Sequence, residues 1–146
     1  MGSRIEFAKA SPEAYQAMLT LSKYTNECGL EHSLLELVKT RASQINGCAF
    51  CLQMHTRDAR KLGETEERLH LLSAWREAPI YTPRECAALA WTEALTLLTD
   101  GHAPDEIYAQ VRAKFSEAEI AKLTLAIAVI NSWNRIAVGL RFATKA

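Results

Sequence analysis

Cys48 and Cys51 are separated by two residues, and His55 follows four positions later, a spacing that gathers two thiols and a base within two helical turns. Asn46-Gly47 immediately precedes them and is suited to close one helix on a left-handed residue before the next one opens. Both sulfurs are therefore expected in the first turn of a helix. There the unpaired backbone N–H groups and the positive end of the helix dipole favour a thiolate over a thiol. A thiol whose pKa moves from about 8.5 to about 6.5 is converted from mostly neutral to mostly ionised at pH 7, and the ionised form is the nucleophile. A separation of three residues also lets the two sulfurs close a disulfide once one of them has been oxidised. Imidazoles as a class titrate near neutrality, so a histidine on the same face can take a proton from a cysteine and return one to a leaving group.

These groups need helices to hold them. Glu31 to Ile45 reads as one helix and Cys48 to about Leu62 as the next. If the two form a hairpin about Asn46-Gly47, Glu36 lies about 15 Å from the turn and His55 about 13 Å, level with each other. A carboxylate there can orient the imidazole and raise its basicity. The alternative is a solvated Glu36 paired with Lys39 or Thr40 on its own helix.

The remainder of the chain is also helical in pattern, with no sustained alternation of apolar and polar residues. Ser11-Pro12-Glu13 opens a helix to about Asn26. Thr65 to Glu77 is amphipathic, and Thr82-Pro83-Arg84-Glu85 is a capping box leading into Cys86 to Leu98. Pro104 to Phe115 is short, and Ser116-x-x-Glu119 opens a last helix to about Phe142. The expectation is an all-α fold of about seven helices in a single domain spanning residues 1–146, with no linker or internal repeat. The last helix has one apolar stripe through Ile120, Leu123, Ile127 and Ile130, and a second through Leu125, Val129, Trp133 and Ile136. It therefore needs two neighbours, either within the core or in another subunit.

Seventeen Lys plus Arg balance seventeen Asp plus Glu, for a formal net charge of zero. With no block of like charge, neither nucleic acid nor an anionic membrane is expected as partner. Near-zero charge leaves room for self-association. The first residues lack an export signal, and the apolar run Leu123 to Ile130 is too short to span a bilayer. Four cysteines without a secretory signal do not resemble a disulfide scaffold, so the expected location is the reducing cytoplasm. Cys28 reads as a packing residue. Cys86, in the first turn of its helix, is a candidate for a somewhat acidic thiol, and Trp75, Trp91 and Trp133 read as core or interface.

Glu36, eleven intervening residues, Cys48-x-x-Cys51, three residues and His55 together resemble the AhpD-like alkylhydroperoxidase core of the carboxymuconolactone decarboxylase superfamily. The resemblance runs from about Leu35 through Asn46-Gly47-Cys48 to Ala59, and on through Thr82-Pro83-Arg84-Glu85 to Ala94. It implies an all-α fold, a homotrimer or homohexamer, and a peroxidase that needs no cofactor or bound metal. Cys51 would attack an organic peroxide, Cys48 would resolve the resulting sulfenic acid into a disulfide, and His55 with Glu36 would relay protons. A dithiol, either a lipoyl group or a small redox protein, would be the reductant. The chain departs from well-studied members at Phe50, where they have a second His. Members that decarboxylate lactones lack the cysteine pair.

Three other readings compete. A thiol-disulfide electron adaptor would keep the pair but consume no peroxide. A metal-binding module would use Cys48, Cys51, His55 and either Glu36 or His32 as ligands. The blandest is a helical oligomer with inert buried cysteines.

Overall fold

The computed structural model describes residues 2–146. Among them the chain is helical with no strand: α1 Phe7–Ala10, α2 Pro12–Asn26, α3 His32–Asn46, α4 Ala49–Lys61, α5 Glu66–Leu71, α6 Pro83–Thr96, α7 Asp105–Arg112 and α8 Glu117–Leu140. The expected all-α fold is present, with eight helices; α1, a single turn, has no counterpart in the sequence pattern.

Local chemistry explains most boundaries. Ser116 and Glu119 form a complete capping box, the serine hydroxyl accepting the Glu119 N–H and the glutamate side chain accepting the Ser116 N–H. At α6 only half of the expected box forms. Thr82 accepts the Glu85 N–H, but the Glu85 carboxylate is drawn away to Arg68, a tertiary ion pair that a turn-length motif cannot anticipate. The expected long helix over Thr65 to Glu77 stops at Leu71 and tightens into a 3-10 turn, Leu72–Ala74. Leu69, Leu72 and Trp75 are all buried at three-residue spacing. A helix with three residues per turn keeps such positions on one face, whereas an α-helix would rotate the third away.

α8 lies centrally, against α2, α3 and α6. Ile120, Leu123 and Ile127 of its first stripe share a core with Leu34, Leu35 and Val38 of α3 and Ala88 and Trp91 of α6. Each fully buried Leu or Ile there contributes about 1.5–3 kcal/mol. The second stripe faces the first two helices. Val129 is buried, and Trp133 meets Phe7 and Tyr15 edge to face while its indole N–H donates to Ser22 at 2.6 Å. Both neighbours that α8 needs are thus within the chain. By length and composition α8 is also apolar enough to cross a membrane, with a mean hydropathy of 1.4 in its best window, which the run Leu123 to Ile130 alone did not suggest. Its two-sided packing is that of a central core helix. Arg4 anchors the N-terminal segment to the end of α8, its backbone N–H donating to the Leu140 carbonyl and its guanidinium to that of Gly139.

Candidate functional site

The α3–α4 turn is built by Gly47, which adopts φ 64° and ψ 35°, a left-handed conformation that costs a residue with a Cβ more than it costs glycine. The Cys48 N–H returns to the Ser43 carbonyl at 3.0 Å and closes α3. Side chains from α8 hold this turn from the other side. The Asn46 amide donates to Asn131 at 3.0 Å and to Asn134 at 2.9 Å, and Asn134 in turn donates to the Ser43 hydroxyl at 3.0 Å.

Cys48 stands one position outside α4 as its N-cap, not in its first turn as expected. Its sulfur accepts the Cys51 N–H at 3.2 Å. The two cysteines are joined as a disulfide, with Cα atoms 5.3 Å apart. Both are almost wholly buried, at 1% and 2% exposure. They differ in what they face. A cavity of about 320 Å³ opens among α2, α3, α4 and α8, and Cys51 and His55 lie on its wall while Cys48 does not. Phe50, between the cysteines, meets Phe142 edge to face at 5.3 Å, so the chain after α8 closes one side of the site.

Glu36 is where the hairpin geometry placed it. Its Oε2 lies 2.9 Å from His55 Nδ1, and its Oε1 accepts Lys39 Nζ at 3.2 Å. Contact with His55 and pairing with Lys39 therefore occur together, one on each oxygen, but Glu36 is not solvated as the second reading expected, its side chain being 12% exposed. Lys39 Nζ also donates to Asn26 Oδ1 at the end of α2. Burial pushes the Glu36 carboxyl up, but the hydrogen bond from His55 and the Lys39 charge outweigh it and hold the group below its ordinary value of 4.5.

A carboxyl held low stabilises the fold fully above its unfolded value, and that contribution is lost as pH falls through the folded value. Glu93 behaves alike: burial raises it, while Arg76, Trp75 and Arg41 lower it further. Melting temperature measured against pH is therefore expected to fall less steeply below pH 4.5 in Glu36→Gln than in wild type. Parallel curves would show that the Glu36 network contributes nothing to acid sensitivity.

The ligand atoms of Glu36, His55 and Asp58 lie within 4.8 Å of one another, a set chemically able to hold a metal ion. It is not the set expected from sequence. The cysteines are tied to each other, His32 is exposed at the start of α3, and both Glu36 oxygens already have donors.

The cavity also contains residues to which the sequence reading gave no part in the chemistry. Lys39, Asn26, Tyr15, Met54 and Trp133 line it. Lys39, three residues after Glu36, and Met54, between Cys51 and His55 on α4, had a local signal; Asn26 and Tyr15 of α2 and Trp133 of α8 are adjacent to the site only through packing. Cys86 corrects a further expectation. Burial and then the neighbouring Glu85 push its thiol up, so it is less acidic than an ordinary cysteine despite its place in the first turn of α6. Cys28 packs beside the main core, as expected.

Residues 12–94 match the carboxymuconolactone decarboxylase family. The chain belongs to that family, in its AhpD-like branch. Among its relatives is the uncharacterized protein YdfG of Bacillus subtilis, 46% identical over 99% of this chain and 100% of the relative. A solved structure from Agrobacterium tumefaciens, of unknown function and described as a candidate antioxidant defence protein AhpD, superposes with a TM-score of 0.97 at 48% identity, covering 99% of both chains. A cysteine variant of the debrominase Bmp8 in complex with 2,3,4-tribromopyrrole has a TM-score of 0.82 at 17% identity, over 94% of this chain and 74% of that one. The last likeness shows the carboxymuconolactone decarboxylase fold alone.

Proposed function

We propose that the protein is a thiol peroxidase that reduces organic hydroperoxides at Cys51. The observation that carries this reading is the placement of Cys51, on the wall of a cavity of about 320 Å³ beside a His55–Glu36 pair, with Cys48 already within disulfide reach. In the reduced protein the Cys51 thiolate attacks the terminal peroxide oxygen and the O–O bond breaks. The products are a Cys51 sulfenic acid and an alkoxide, which takes a proton from His55 to leave as the alcohol. Cys48 then attacks the sulfenic sulfur, releasing water and forming the disulfide. A dithiol reductant restores both thiols and leaves as its own disulfide.

Burial of both sulfurs supports small reactants over a protein docking directly on the pair. A lipoyl group is slender enough to enter by the cavity. Phe50 supplies a ring against Phe142 and no proton carrier, so proton supply rests on His55 and Glu36. Exposed Leu97, Leu98 and Val138 offer apolar surface that a second copy could cover, in a homotrimer or homohexamer, and the mass measured by light scattering tests this.

The test mixes reduced protein with hydrogen peroxide, an alkyl hydroperoxide, an aryl-alkyl hydroperoxide and a bromopyrrole. It follows peroxide loss, bromide release and disulfide formation. One organic hydroperoxide consumed per disulfide formed is the expected result. A disulfide that forms only by exchange with another disulfide would make the protein an electron adaptor, and bromide release without peroxide loss would place it with the debrominases in activity.

A further inference from the structure

We propose that Lys39 is a positioning residue that sets which nitrogen of His55 is free to act on Cys51. The proposal rests on the reading of Cys51 and His55 as a thiol–base pair. Each Glu36 oxygen has one donor: Oε2 faces His55 Nδ1 at 2.9 Å and Oε1 faces Lys39 Nζ at 3.2 Å. Lys39 is itself held on its far side by Asn26, the last residue of α2, and its side chain is only 11% exposed. A lysine this buried keeps a fixed position, and its charge balances the carboxylate that it touches.

The consequence lies in the proton on His55. An ionised Glu36 can only accept, so His55 carries a proton on Nδ1, and in the neutral imidazole this leaves Nε2 as the nitrogen available to a thiol or a leaving group. Glu36 is itself poorly solvated, its side chain 12% exposed. Without the Lys39 charge, His55 alone opposes the burial that favours the protonated carboxyl. A protonated carboxyl can donate to Nδ1, which moves the imidazole proton to Nε2 and removes the base from the reacting side. Lys39 reaches the chemistry only through Glu36 and need not touch the substrate.

The other groups around the pair do not duplicate this role. Asp58 of α4 carries the wrong charge to hold Glu36 ionised. From α2, Tyr15 is the one ionisable residue on the cavity wall, and Asn26 accepts a hydrogen bond from Lys39. Val129, Ile130, Trp133 and Ala137, the α8 residues on this wall, have no ionisable group.

The experiment uses the full-length reduced protein without peroxide. Nitrogen-15 chemical shifts of His55 report which ring nitrogen is protonated, and alkylation of Cys51 against pH reports the base. In its neutral imidazole form, wild type is expected to show the Nδ1–H tautomer. Lys39→Met should shift it towards Nε2–H and slow Cys51 alkylation by about tenfold to a hundredfold, the range usual for lost orienting partners. Lys39→Arg should restore the wild-type tautomer. On a Glu36→Gln background, Lys39→Met should slow alkylation by less than about twofold, since coupled residues are non-additive. Lys39→Gln, which keeps a donor without the charge, serves where Lys39→Met severs α2 from α3 and unfolds. It is expected to shift the tautomer in the same direction.

A Nδ1–H tautomer retained in both uncharged variants, or additive losses with Glu36→Gln, would overturn the proposal and make Lys39 a structural tie between helices. Because the tautomer is read without peroxide, a protein inert to every peroxide sinks the proposed activity separately from this result.

Discussion

Cys51→Ser is expected to lower hydroperoxide consumption by about a thousandfold or more, as loss of a nucleophile does. Cys48→Ser should still form one sulfenic acid at Cys51 per chain and then stop. The chain's own physics pulls in two directions here. Cys48 is nearer the helix terminus and so nearer its dipole, whereas Cys51 is one turn from His55. The structure adds a third consideration, access: Cys51 and His55 share the cavity wall, and Cys48 is the N-cap, its sulfur already accepting the Cys51 N–H. Mass spectrometry after trapping with a sulfenate-specific reagent reads out each variant. An adduct on Cys48 in the Cys51→Ser protein, with none on Cys51 in its counterpart, would reverse the roles and show that the helix terminus outweighs base and access together.

The second large effect is structural and begins at a residue with no part in the chemistry. Asn134 is 1% exposed, accepts from Asn46 at one end of its amide and donates to Ser43 at the other, and so ties α8 to the turn that presents Cys48. Asn134→Ala removes both bonds, leaves buried polar partners unmatched and opens a small void, at a cost of about 2–4 kcal/mol. For a chain of this length that corresponds to a fall in Tm of about 10 °C. Ser132→Ala, two positions away on the same helix, loses only a bond to the Ala128 carbonyl and should stay within about 0.5 kcal/mol of wild type. Thermal unfolding of the two variants checks the contrast. Equal Tm values would mean that the asparagine network holds nothing in place.

That network shows where the reading of the chain stopped. Asn131 and Asn134 were legible as polar interruptions of an apolar helix, and Asn46 as half of a helix-closing pair. Nothing in their spacing, more than 80 positions apart, says that they bond to each other. Similarly, Thr82-x-x-Glu85 has the pattern of a capping box, yet half of it is lost because Arg68 offers the Glu85 carboxylate a full charge in place of a backbone dipole. Cys86 has the right place for an acidic thiol and the wrong surroundings, since burial and Glu85 outweigh one helix terminus.

The sequence by itself determined what acts within a turn or two of helix: the stop at Gly47, the complete box at Ser116, the three-residue spacing of the cysteines, and the one-turn step to His55. It even placed Glu36 level with His55, because a hairpin between two regular helices has a single simple geometry. Capping, dihedral preference and helical pitch are properties of neighbouring residues, so they can be read from neighbours. Tertiary structure alone decided that Cys51 faces a cavity and Cys48 does not, that Tyr15 and Trp133 wall that cavity, and that Asn26 holds Lys39 against Glu36. Those facts depend on which faces of α2, α3, α4 and α8 pack together, and that choice is made by the combined burial of side chains far apart in the chain.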